Sequence, residues 1–160
     1  MKRNFFIAVL ISAALIATNI SGYAQKTASP HGIDYLAKEA LAGALSGVVI
    51  GFGSAMVGIL AGSNSGLGGA GSGGVIGLHL GVGLGVPYGV VLAGSMMGVE
   101  GNLPVAYTLS LGASLAHYIG FNYKDSMPDW LAENFFYITY ALNITGAVIG
   151  YNLGATKKSD

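Results

Sequence analysis

The 60 residues from Ala40 to Val99 contain no Asp, Glu, Lys or Arg. Two further charge-free runs of 23 residues each follow, at 101–123 and 134–156. A water-soluble domain of this size has too much surface to do without charged faces. A membrane-spanning helix needs about 20 consecutive apolar residues, and each run is long enough to supply one. Charged residues make up 9% of the chain, where soluble domains carry roughly 25%. Seven Lys and Arg balance seven Asp and Glu, so there is no basic surplus to neutralise phosphates and nucleic acid is excluded as a partner. Cysteine is absent, which excludes disulfides and thiol chemistry.

The N-terminus reads as an export signal. Lys2 and Arg3 precede an apolar run from Phe5 to Ala17 that only Ser12 interrupts. Gly22-Tyr23-Ala24 then places small residues at −3 and −1 of a cleavage site before Gln25, the pattern of a signal peptide. The reading is therefore a signal peptide at 1–24, an exposed lead-in at 25–34, a transmembrane domain at 35–156 and a polar tail at 157–160.

Turn-forming residues divide the transmembrane domain into four spans, giving an all-α membrane bundle of two hairpins. The first span covers Tyr35–Gly62 and ends in a Gly/Ser-rich stretch, Ser63–Gly74, that reads as a flexible connection. The second covers Val75–Gly98 and is closed by Glu100, Gly101, Asn102 and Pro104. The third covers Val105–Tyr123, and Lys124–Asp129 forms a polar turn. The fourth covers Trp130–Ala155. Export followed by four spans leaves Lys157 and Lys158 outside, against the positive-inside preference, so the inner and the outer membrane both stay open.

Glycines keep a period of four through these spans. Gly43, Gly47 and Gly51 recur in the first, and Gly77, Gly81, Gly85 and Gly89 in the second. Gly112 and Gly120 lie in the third, and Gly146, Gly150 and Gly154 in the fourth. Residues four apart share one helix face. A row of glycines there lets a neighbouring backbone approach closely, as lipid-embedded helices do. On these residues the chain resembles glycine-zipper membrane proteins, a likeness that implies helix packing and no particular activity. Gly146-Ala147-Val148-Ile149-Gly150-Tyr151-Asn152-Leu153 is also similar to the end of some uncharacterised exported bacterial proteins.

A period of two competes with this reading. Val105, Tyr107, Leu109, Leu111, Ala113 and Leu115 alternate with Ala106, Thr108, Ser110, Gly112 and Ser114, as in a transmembrane strand. Val75–Val86 alternates similarly. A small outer-membrane β-barrel is thus the alternative fold. It lacks polar breaks at every expected hairpin and an aromatic terminal strand.

Residues that could carry chemistry are few. His79 and His117 lie inside spans, where an ionisable group is a functional candidate for a pore or a polar helix contact. Two histidines without a carboxylate fall short of a metal site, so neither metal nor cofactor is expected. Ser110, Ser114 and His117 share a helical face, but no acid is placed to orient the imidazole for hydrolysis, and an enzyme is not expected. Gly66-Leu67-Gly68-Gly69-Ala70-Gly71 matches a dinucleotide fingerprint without the preceding strand that gives it meaning. Pro87 should bend the second helix. Tyr123, Trp130, Phe135, Phe136 and Tyr137 read as an aromatic belt. The expected role is structural, through close packing in the lipid bilayer of the cell envelope, as a homo-oligomer or with a membrane partner protein; a pore or transporter subunit is the alternative.

Overall fold

The computed structural model describes residues 32–157. The proposed signal peptide and most of the lead-in lie outside these residues. Among the described residues the chain forms four α-helices: α1 (Ile33–Gly62), α2 (Gly66–Met96), α3 (Leu103–Asn122) and α4 (Asp129–Asn152). Short 3-10 turns, Ser63–Ser65 and Lys124–Ser126, join α1 to α2 and α3 to α4. The strands described are the two-residue β1 (Val99–Glu100) and β2 (Thr156–Lys157), paired antiparallel with Val99 opposite Lys157. The fold is all-α and no barrel is seen. The alternation in 105–115 is therefore a by-product of small residues recurring every four positions on a helix. The helical stretch Ile33–Met96 is long and apolar enough, by length and composition, to cross a membrane.

The first hairpin is an antiparallel pair held at backbone distance. Gly69, Gly73, Gly77, Gly81, Gly85 and Gly89 of α2 lie over the carbonyls of Gly62, Gly58, Ser54, Ile50, Ser46 and Ala42 of α1. Every step of four up one helix meets a step of four down the other. A Cβ on Gly81 would stand 2.7 Å from Ile50 O, and one on Gly85 2.8 Å from Ser46 O. No residue larger than glycine fits without moving a backbone. The adjacent row works in the opposite sense. Val82, Val86 and Val90 of α2 are buried and fill the spaces over Gly51, Gly47 and Gly43 of α1.

This register corrects the sequence reading of the Gly/Ser-rich stretch. Only Ser63–Ser65 makes the turn, and residues 66–74 are helical. Glycine costs a helix about 1 kcal/mol relative to alanine in isolation. Here Gly69 and Gly73 face α1 carbonyls, and the close packing offsets that cost. The reversal itself uses Gly66 at φ 80°, a left-handed conformation that side chains with a Cβ resist.

The second hairpin packs α3 against α4 with larger side chains. Gly150 lies against the backbone at Val105 and Ala106, Gly146 against Leu109, and Gly120 under the Phe135 ring. At α3's start, Asn102 Oδ1 accepts from Val105 N (3.2 Å) and Pro104 sits in the first turn, a favourable N-terminus. Near that end, Tyr151 of α4 closes the bundle. Its hydroxyl donates to Val99 O (3.0 Å), its carbonyl accepts from Asn102 N (2.8 Å), and its ring leaves no room for a side chain at Gly94 or Gly101.

Two glycines assigned to packing do other things. Gly112 meets nothing within 4 Å of where a Cβ would be, because its face of α3 points away from the neighbouring helices. Gly154 also contacts nothing and has φ 76°; it stops α4 two residues past the helix end, the usual place for a left-handed glycine. Lys157, the first residue of the proposed polar tail, pairs with Val99, and α1 begins at Ile33.

Candidate functional site

Proline fixes the site. Pro87 lies inside α2 and is fully buried. It has no N–H, so the carbonyl four residues earlier, Gly83 O, loses its intrahelical donor. Ser110 of α3 supplies one: its hydroxyl donates to Gly83 O at 3.0 Å. Gly83 has to be small for this, since a Cβ there would stand 2.9 Å from Ser114 Oγ.

The same hydroxyl oxygen lies against the Asn143 carboxamide of α4, whose other terminal atom pairs with Ser114 Oγ at 2.5 Å. Ser110, Ser114 and Asn143 are all buried. They tie α2, α3 and α4 together through hydrogen bonds in the buried interior. An unsatisfied polar group there would cost more than the bond contributes, so the network specifies how the three helices meet.

One helical turn away, the structure brings His79 and His117 together. Their ring centroids are 4.5 Å apart, edge to face. His79 Nδ1 lies 2.6 Å from Val75 O. A carbonyl can only accept, so Nδ1 carries a proton. His79 Nε2 is buried and has no partner. His117 packs edge-on against Phe135 and Phe136, at 5.3 and 5.4 Å. Beside the pair is a surface groove of about 130 Å³, lined by Ile76, His79, Leu80, Leu111, Ser114, Leu115 and Tyr118. Among the described residues no group of three or more His, Asp or Glu is placed to hold a metal ion.

A second polar cluster joins the ends of α1 and α4. Glu39 is fully buried. Its Oε2 accepts from Asn152 Nδ2 at 2.6 Å, and the same Nδ2 donates to Val148 O at 2.9 Å. Glu39 Oε1 and Asn152 Oδ1 are buried without partners. Further along α1, the Tyr140 hydroxyl of α4 donates to Ala44 O at 2.5 Å.

Of the residues expected from sequence, Gly43, Gly47, Gly51, Gly77, Gly81, Gly85 and Gly89 share the α1–α2 interface, and Gly120, Gly146 and Gly150 share the α3–α4 interface. Gly112 and Gly154 join neither. His79 and His117 meet, and Ser110, Ser114 and His117 all turn inward. Sequence reasoning missed Asn143, Asn152, Tyr140 and Glu39. The signal for the first two was present: an Asn within an apolar span is costly unless a partner satisfies it. Glu39 was read only as the edge of the charge-free run. The fingerprint Gly66–Gly71 opens α2 after a 3-10 turn, not after a strand, so the dinucleotide context is absent.

No protein-family model, no curated protein and no solved structure matches this chain.

Proposed function

We propose that this chain is a small integral membrane protein whose role is structural, built to pack helices tightly and to offer its apolar faces to lipid and to other membrane helices. The observation that carries the reading is an inverted distribution of side chains. The interior holds Glu39, His79, Ser110, Ser114, His117, Thr139 and Asn143, with glycines and valines between them. The outside carries Leu45, Val49, Phe52, Met56 and Leu60 on α1, Leu80, Leu84 and Leu92 on α2, Leu115 and Ile119 on α3, and Leu142 on α4. Water-soluble folds sort the other way, and contiguous apolar surface on this scale marks contact with membrane or protein. Within the charge-free run the exposed apolar residues of α1 begin at Leu41. At about 1.5 Å per residue, the 30-residue α1, within the apolar stretch Ile33–Met96, exceeds the about 30 Å thickness of a hydrocarbon core.

The test is fractionation of cells expressing the full chain. The protein should stay in the membrane pellet through alkaline carbonate and leave it only with detergent. Recovery in the detergent-free supernatant as a folded helical protein would end the membrane reading. Cross-linking of purified protein in detergent then reads self-association, which the exposed apolar faces favour.

A pore or transporter subunit is the second reading, favoured by the buried His79–His117 pair beside an open groove. It requires ion flux in liposomes containing the purified protein. His79→Leu should change that flux, and a tight bilayer would remove the reading.

A further inference from the structure

Glu39 and Asn152 together contain a hydrogen-bonding problem that one proton solves. The Asn152 carboxamide has two N–H donors and both are used, one on Glu39 Oε2 and the other on Val148 O. Because Val148 O can only accept, the amide cannot be turned to exchange its nitrogen and oxygen. This leaves Glu39 Oε1 and Asn152 Oδ1, two buried acceptors with no donor. The charged groups nearby do not help. Tyr151 on α4 has committed its hydroxyl to Val99 O, and Glu100 on β1 is itself an acid. Lys38, next to Glu39 on α1, holds its ammonium 5.9 Å over the Tyr35 ring. Lys157 on β2 is exposed at the surface. The one basic side chain of α2, His79, sits some ten residues from the Gly89–Val90 level of α2 that packs beside Ala42 and Gly43.

One proton resolves both vacancies. Placed on Oε1, it turns that atom from acceptor to donor and gives Asn152 Oδ1 its partner. Asn152 Nδ2–H donates to Oε2 and Oε1–H donates to Oδ1, closing a cyclic acid–amide pair in which every donor and acceptor of both side chains is used. We propose that Glu39 is a proton-binding site, occupied in the folded protein, and that the neutral acid–amide ring is a latch fastening the first helix of the bundle to the last. Loss of the proton leaves a buried anion with one hydrogen bond and no cation, beside an Asn152 oxygen that has no donor, and drives α1 and α4 apart. This goes beyond the packing role, since it makes the bundle's closure depend on pH.

Two measurements on the full chain in detergent test it. The infrared spectrum of the folded protein at neutral pH should contain the carbonyl band of a protonated carboxyl that is missing from Glu39→Gln. In the unfolded chain a glutamate releases its proton near about pH 4.3. The folded chain retains it above that, so it binds more protons, and raising the pH favours unfolding. The wild-type melting temperature should therefore fall from about pH 5 to about pH 9, while Glu39→Gln stays flat or nearly so. Glutamine rebuilds the same ring with its own amide, so Glu39→Gln should fold and should match or exceed the wild type at the alkaline end. Glu39→Leu, which strands Asn152, should melt lower than both under acidic conditions. The proposal is overturned if the folded wild type shows only carboxylate at neutral pH. It is equally overturned if Glu39→Gln fails to fold or melts below the wild type throughout, since the fold would then need the anion.

Discussion

Gly81→Ala should destabilise the bundle and Gly112→Ala should stabilise it, although a four-residue glycine count places both in the same class. At Gly81 the new Cβ would stand 2.7 Å from Ile50 O and from Ser54 Oγ. Ordinary contact begins at 3.4 Å, so the two helices must part by about 0.7 Å at that level. A gap of about 0.5–1 Å forfeits a quarter to a half of each dispersion contact across it, and Gly77 and Gly85, one turn to either side, lose contact together with Gly81. Overpacking of this kind costs about 1–3 kcal/mol. Alanine returns about 1 kcal/mol through helix propensity, so the net loss is about 0–2 kcal/mol. At Gly112 nothing lies within 4 Å, and only the propensity gain remains, up to about 1 kcal/mol. Reversible unfolding followed by circular dichroism, with denaturing detergent titrated into mild micelles, measures both. Equal losses at the two positions, or a gain at Gly81, would refute the backbone-contact account of the first hairpin.

Ser110→Ala should cost about 1 kcal/mol, by leaving Gly83 O unpaired. The cost should shrink in a Pro87→Ala background, where the restored N–H can serve that carbonyl; a double-mutant cycle with no coupling would refute the link. Asn143→Leu removes the bridge between Ser110 and Ser114 and should cost about 1–3 kcal/mol by the same unfolding assay; a neutral result would mean the hydroxyls find other partners. Tyr140→Phe should lose about 1 kcal/mol with its bond to Ala44 O, and the loss should disappear when measured in a Gly47→Ala variant, whose Cβ would already displace the Tyr140 hydroxyl.

The helices were legible in the sequence because charge-free length and a glycine period of four act on the same segments. Their ends were read to within a few residues, except at the first connection. There, Gly66–Gly74 has the composition of a linker, and nothing local distinguishes a glycine that frees the chain from one that admits a neighbouring backbone. The distinction is a matter of register. Gly69 and Gly73 continue the phase of Gly77, Gly81, Gly85 and Gly89, so the row itself was visible, but the carbonyls it meets at Gly58 and Gly62 were not. Gly112 shows the reverse: it is four residues from Thr108 and Ala116, yet its face of α3 has no neighbour. Periodicity identifies a face and leaves open what that face meets. The pairing of Glu39 with Asn152 spans 113 positions, and no local pattern could have joined them.

The two hairpins use different chemistry, and this bears on how the bundle is assembled. α1 and α2 meet through glycines, valines and main-chain carbonyls, contacts that require close approach and no side-chain hydrogen bonds. Polar side chains join this unit to the rest: Ser110 to the carbonyl freed by Pro87, Tyr140 to Ala44 O, and Asn152 to Glu39. Each of these bonds reaches from α3 or α4 back to α1 or α2, and each has a partner that only the correct register supplies. In the lipid setting proposed above, no hydrophobic effect draws helices together, so apolar contact alone would let the second hairpin slide or rotate on the first. Directional bonds to two main-chain carbonyls and one carboxyl fix its position. The small-residue rows therefore decide how close the helices come, while the few buried polar groups decide which arrangement of close helices is the native one.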